Sequence, residues 1–91
     1  MLSISYTSQF KKDLKRAKKR GYDLNLIKSS MEKIAKQTAL PRSVRDHALI
    51  GNWVGYRELH LQPDWLLVYK IDELTQTVYF VRTGSHADLF R

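Results

Sequence analysis

Residues 55–71 read GYRELHLQPDWLLVYKI, and this stretch decides the fold. Over residues 55–62 apolar and polar side chains alternate. Leu59 and Leu61 share one face and Glu58 and His60 the other, the pattern of a strand covered on one side. Gln62-Pro63-Asp64-Trp65 suits a tight turn, because proline fixes φ at the turn's second position. Residues 65–71 are apolar almost throughout, as expected of a central strand covered on both faces. Residues 72–76 then make the next turn and residues 77–83 a further strand, so the second half reads as an antiparallel meander.

The first half supplies a cover for that sheet. Residues 2–6 alternate and read as a short strand. Ser8 is placed to cap a helix through its hydroxyl, with Phe10, Leu14 and Ala17 on one helical face. Gly21 ends that helix, since it takes left-handed backbone without a Cβ clash. Asp23 caps a second helix bearing Leu24, Ile27, Met31 and Ile34 on one stripe, to be finished by Leu40-Pro41, where proline disfavours helical geometry in the residue before it. So short a connection folds the two helices into an antiparallel pair whose apolar faces need a sheet. Ser85 and Asp88 match a capping-box variant that opens a closing helical turn. The expectation is one α+β domain over residues 1–91: an N-terminal strand, two antiparallel helices, then a C-terminal antiparallel meander with a short final helical turn.

Charge is unevenly placed. The net charge is +7, and residues 11–20 (KKDLKRAKKR) alone carry +6. Lys11, Lys12, Lys15, Arg16, Lys18 and Lys19 therefore make a directional positive field suited to a polyanion, either nucleic acid or an acidic protein segment. A solubility face would mix both signs. The chain has no cysteine, which excludes disulfides and thiolate metal sites. No apolar run approaches the ~20 residues of a membrane helix, and no signal peptide is visible, so a soluble cytoplasmic domain without a membrane partner is expected.

The three histidines, His47, His60 and His86, all lie in the second half at or beside strand ends. His60 and Asp64 flank the Gln62-Pro63 turn, and His86 follows Arg82 past the Gly84 turn. Gathered on one surface, such groups suit RNA cleavage. A base takes the ribose 2′-hydroxyl proton, the oxygen attacks the adjacent phosphate, and an acid protonates the leaving 5′-oxygen. Arg82 would stabilise charge on the phosphate, and Trp65 and Phe90 would stack on unpaired bases. Each has a plainer reading: histidines at strand ends are mostly surface groups, Asp64 is a good turn residue, and Trp53, Trp65 and Phe90 are core material. Three histidines and an aspartate could also hold zinc, but no pair has the short local spacing of zinc motifs, and no metal or other cofactor is expected. There is no glycine-rich phosphate loop and no serine in a nucleophile setting.

Residues 46–70, DHALIGNWVGYRELHLQPDWLLVYK, followed by RTGSHADLF at 82–90, resemble the YafQ branch of the RelE/ParE toxin superfamily. The order of basic helix, second helix and meander extends the likeness over nearly the whole chain. The resemblance implies a RelE-like fold and a ribosome-dependent mRNA endonuclease, the toxin of a bacterial toxin–antitoxin pair, cutting in the ribosomal A site without metal. It implies His47, His60, Asp64 and His86 as catalytic residues, with Trp65 and Phe90 alongside and Arg82 on the scissile phosphate. His86 is then the expected acid, His60 or Asp64 stands on the base side, and His47 positions. The basic helix would meet ribosomal RNA or an acidic segment of the antitoxin. The rival within the superfamily is a ParE-like toxin that binds DNA gyrase and cuts no RNA.

Overall fold

The computed structural model describes residues 1–90. Its elements are β1 (Ser3–Tyr6), α1 (Ser8–Lys19), α2 (Leu24–Ala35), β2 (His47–Ala48), β3 (Arg57–Gln62), β4 (Trp65–Asp72), β5 (Thr77–Gly84) and α3 (His86–Leu89). Short 3-10 turns at Arg42–Val44 and Gly51–Trp53 flank β2. The five strands form one sheet in the order β1-β5-β4-β3-β2. The meander is antiparallel as read from the sequence, while β1 joins the far edge parallel to β5, with Ser3 beside Thr77 and Tyr6 beside Phe80.

Both helix boundaries differ from the sequence reading at one end. Thr7, not Ser8, caps α1: its Oγ1 accepts the Phe10 amide at 3.0 Å while its own hydroxyl donates to Val81 O at 2.8 Å. The second bond decides between two adjacent capping residues, because only Thr7 also lies beside β5. Gly21, at φ 81, closes α1 as expected, with Tyr22 N and Gly21 N donating back to Ala17 O and Lys18 O. The same paired bonds end α2 early, from Thr38 N to Lys33 O and Gln37 N to Ile34 O. Gln37 holds the left-handed backbone there at φ 58, so the helix stops well before Leu40-Pro41.

Strand parity splits the core in two. Trp65, Leu67 and Tyr69 of β4 face α1 and α2 with Leu59, Val78, Phe80, Phe10, Ile27 and Ile34. Leu66 and Val68 face the other way, under Leu49, Trp53, Tyr56 and Leu89. A central strand apolar on both faces thus has helices on one side and the β2 segment with α3 on the other.

Asp13, the one acid in the basic run, fastens α1 to the sheet. It is 1% exposed, and its carboxylate accepts Arg82 Nε at 2.7 Å, the Thr83 amide at 3.1 Å, Arg16 Nη2 at 3.2 Å and Gln9 Nε2 at 3.0 Å. Removing it leaves Arg82 uncompensated and a buried amide unpaired. Asp13→Ala is expected to cost about 3 kcal/mol in urea unfolding. Arg16→Ala, whose side chain is 40% exposed, should cost less than about 1 kcal/mol. Equal losses would show that Asp13 is no more than a surface ion pair.

Candidate active site

The site begins with a half-buried anchor one residue from a histidine. Asp46 accepts Tyr69 Oη at 2.7 Å and Arg57 Nε and Nη2 at 3.3 Å each. Burial, and then Asp46, push the Tyr69 phenol well above its ordinary value. With Asp46 tied down, strand alternation presents His47 to the face away from α1 and α2, as the cross-strand partner of Glu58. His47 Nδ1 lies 2.6 Å from Arg45 O and Nε2 lies 3.3 Å from Glu58 Oε2. A carbonyl only accepts, so Nδ1 carries a proton, and a second proton on Nε2 would complete an ion pair with Glu58.

His60 stands two residues along β3 from Glu58 on the same face. Its ring centre is 6.2 Å from that of His47 and 5.8 Å from that of His86. Its Nδ1 is buried and makes no hydrogen bond among the described residues.

His86 opens α3, whose capping box is present: Ser85 Oγ accepts the Asp88 amide and Asp88 Oδ2 accepts the Ser85 amide. Asp64, on the β3–β4 turn, accepts both the His86 amide at 2.9 Å and His86 Nδ1 at 2.6 Å. These bonds, the amide first, hold the Asp64 carboxyl below its ordinary range. They also fix the proton on Nδ1 and leave Nε2 as the working nitrogen. A cavity of about 330 Å³ joins the three imidazoles and Glu58 to an apolar wall of Leu49, Ile50, Trp53 and Phe90. Phe90 packs edge-on against Trp53, with ring centres 5.6 Å apart.

Not every residue expected here is brought in. Trp65 is 1% exposed, packed against Tyr22 with ring centres 4.8 Å apart, so it is core and offers no face to a base. Its parity with Leu67 and Tyr69 puts it on the helix side. Arg82 gives Nε and Nη2 to Asp13 and does not line the cavity. On α1 the lysines Lys11, Lys12, Lys15, Lys18 and Lys19 are exposed, and no ion pair among the described residues includes them. Arg16 is half-buried against Asp13, and Arg20 makes two bonds to Asp88 at 2.7 and 3.2 Å. Glu58 was missed as a site residue, although its alternation with His60 was visible in the sequence. Glu58, His60 and His86 each offer a ligand atom within 4.8 Å of the others, a nitrogen and carboxylate set of the kind that divalent ions accept.

The family model described as the bacterial toxin of a type II toxin-antitoxin system, YafQ, matches residues 2–91. The chain belongs to the YafQ toxin family. It is 44% identical over 88 residues to the mRNA interferase toxin YafQ of Escherichia coli K12, covering 96% of this chain and 94% of that one. It superposes on YafQ in the crystal structure of the E. coli DinJ-YafQ complex with a TM-score of 0.89 at 42% identity, over the full length of both chains. A metal-bound toxin from Helicobacter pylori has a TM-score of 0.93 at 42% identity, over 99% of this chain and all of that one. In this YafQ-family chain, therefore, the imidazole cavity sits on a scaffold shared with those toxins.

The Asp64–His86 contact carries a pH signature. A carboxyl whose folded value is lowered adds stability above its ordinary range near pH ~4, and that contribution is lost as pH falls through the lowered value. The His86 amide proton shift, followed by NMR, should show an acid-range step from Asp64 with a midpoint below ~3.9. A midpoint at or above that value would show that the bond does not persist in solution.

Proposed function

We propose that this protein is a metal-independent endoribonuclease that cuts mRNA in the ribosomal A site, as the toxin of a type II toxin–antitoxin pair. The observation that carries the reading is His86 held by Asp64 through Nδ1 while its ring lines the same cavity as His60. In the proposed reaction His60 removes the 2′-hydroxyl proton. The 2′-oxygen attacks phosphorus, and His86 in its doubly protonated form, with Nδ1–H held by Asp64, gives its Nε2 proton to the departing 5′-oxygen, leaving a 2′,3′-cyclic phosphate. Asp64 acts through His86 by fixing its tautomer and ring orientation. His47, backed by Glu58, places a cation beside the developing charge when doubly protonated. Arg82 lies outside the cavity with Nε and Nη2 engaged by Asp13, so in this reading it meets the strand beyond the imidazoles, through its remaining N–H donors. Phe90, on the apolar wall with Trp53, stacks on a base.

The relative named an mRNA interferase supports the reaction class, and the relative solved with DinJ supports a protein antitoxin as partner. The unpaired lysines of α1 are the proposed contact with ribosomal RNA. A gyrase-binding toxin would have no use for three imidazoles around one cavity. An ion held by Glu58, His60 and His86 would occupy the nitrogens that the reaction needs, so on this reading a bound metal inhibits.

The test is mRNA cleavage in a purified translation system, mapped by primer extension. Wild type should cut at discrete A-site positions, only with ribosomes present, and as well with a zinc-selective chelator that leaves the ribosome its magnesium as without one. His86→Ala and His60→Ala, shown folded by circular dichroism, should each lose about 100-fold or more in rate. Failure of folded wild type to cut on translating ribosomes would overturn the reading.

A further inference from the structure

The face that carries the imidazoles has a second depression at its other end. It has a volume of about 360 Å³ and is lined by Thr7, Tyr56, Lys70, Asp72, Tyr79 and Val81. Lys70 and Tyr79 are cross-strand partners on β4 and β5, and Lys70 continues the alternation of Leu66 and Val68 on this face. Tyr56 lies just before β3, four residues from His60, or roughly 13 Å along an extended chain.

An aromatic line joins the two depressions. Phe90 meets Trp53 edge-on, and Trp53 meets Tyr56 edge-on with ring centres 5.4 Å apart. Lys70 Nζ then stands 5.4 Å from the centre of the Tyr56 ring. Among the described residues no helix covers this end, because α3 and the Gly51–Trp53 turn close only the part over Leu66 and Val68.

Several polar groups here are already committed. Thr7 Oγ1 donates to Val81 O, and Asp72 Oδ1 accepts the amides of Leu74 and Thr75 in the β4–β5 turn. Among the described residues no hydrogen bond engages the Lys70 ammonium or the hydroxyls of Tyr56 and Tyr79. What remains is two aromatic side chains, two phenol hydroxyls and one ammonium, with the Asp72 carboxylate at one end only. Aromatic faces stack on any base, an ammonium pairs with a phosphate, and a carboxylate repels one.

We propose that this depression is a second nucleotide subsite. It holds a nucleotide of the same mRNA strand beside the scissile step, with its base on Tyr56 or Tyr79 and its phosphate on Lys70, away from Asp72. The proposal rests on the nuclease reading above and extends it: the strand lies across the sheet along the aromatic line instead of entering the imidazole cavity end-on.

The test is single-turnover cleavage on stalled ribosomes as a function of toxin concentration, for wild type, Tyr79→Ala and Lys70→Met. Both substitutions are at the surface of the sheet, and circular dichroism checks that the variants fold. Each should raise the half-saturating concentration about fivefold or more, the effect falling there and not on the rate at saturation. His86→Ala should do the reverse. A photo-crosslinking side chain in place of Tyr79 should label mRNA. Unchanged half-saturation in both folded variants, a loss confined to the saturated rate, or crosslinks to ribosomal RNA alone would overturn the subsite while wild-type cleavage still stands. Wild type that cuts nothing would overturn the nuclease reading, and the subsite with it.

Discussion

Asp13 gathers donors from two distant parts of the chain: Gln9 and Arg16 on its own helix, and the Arg82 side chain and Thr83 backbone on β5. A carboxylate this deeply buried is tolerable only with its oxygens filled, and these contacts fill them. What the arrangement secures is position. Thr83 is pinned on one side by Asp13 and on the other by its own hydroxyl, which donates to Leu66 O at 2.7 Å. The chain therefore leaves β5 at a fixed point, and Gly84 lets α3 fold back tightly. A Cβ on Gly84 would stand 2.9 Å from Asp88 Cβ, closer than real contacts allow. Asp88 is in turn held by Arg20, which keeps its carboxyl far below the usual range. His86 reaches Asp64 because both ends of this short path are tied to α1.

The basic helix thus divides its work by residue type. Its arginines serve structure: Arg16 reaches Asp13, and Arg20 grips Asp88 through two nitrogens, as a planar fork can and an ammonium cannot. Its lysines stay exposed and unpaired among the described residues, keeping their charge for a partner. Composition alone counts all of these as one cluster, and only the acids they face separate them.

The meander, the two helices and the closing capping box were legible because each rests on local spacing: alternation over residues 55–62, Gly21 and Asp23 at helix ends, Ser85 three residues before Asp88. The parallel pairing of β1 with β5 was not, since it joins strands more than seventy residues apart and nothing in a four-residue strand names its partner. Trp65 is a different case. Its placement with Leu67 and Tyr69 was readable from parity, and Leu59 beside Leu67 confirms that face as the core, but a turn tryptophan next to Asp64 invites a functional reading. Arg82 was hidden by a register shift between Val68 and Tyr69, which re-aims the β5 side chains around Val81. The sole acid in the run of bases was the one available sign that something there needed a buried partner.

Charge also bears on why such a site would depend on a platform. The cavity face holds Glu58 and Asp64, with Asp72 further along, and each carboxylate repels a phosphate. The lysines of α1 lie on the other side of the sheet, and salt screens their field over about 8 Å, in a molecule 28 to 35 Å across. They cannot offset those carboxylates at the cavity, but they can bind a second polyanion strongly through counterion release. Affinity and chemistry then sit on different surfaces. A free RNA strand would meet on this face three carboxylates and, besides the histidines, the one lysine of the second depression, Lys70. An mRNA presented by a particle whose own RNA grips α1 would arrive with the association cost already met, and this separation is the physical ground for proposing that cleavage depends on the ribosome.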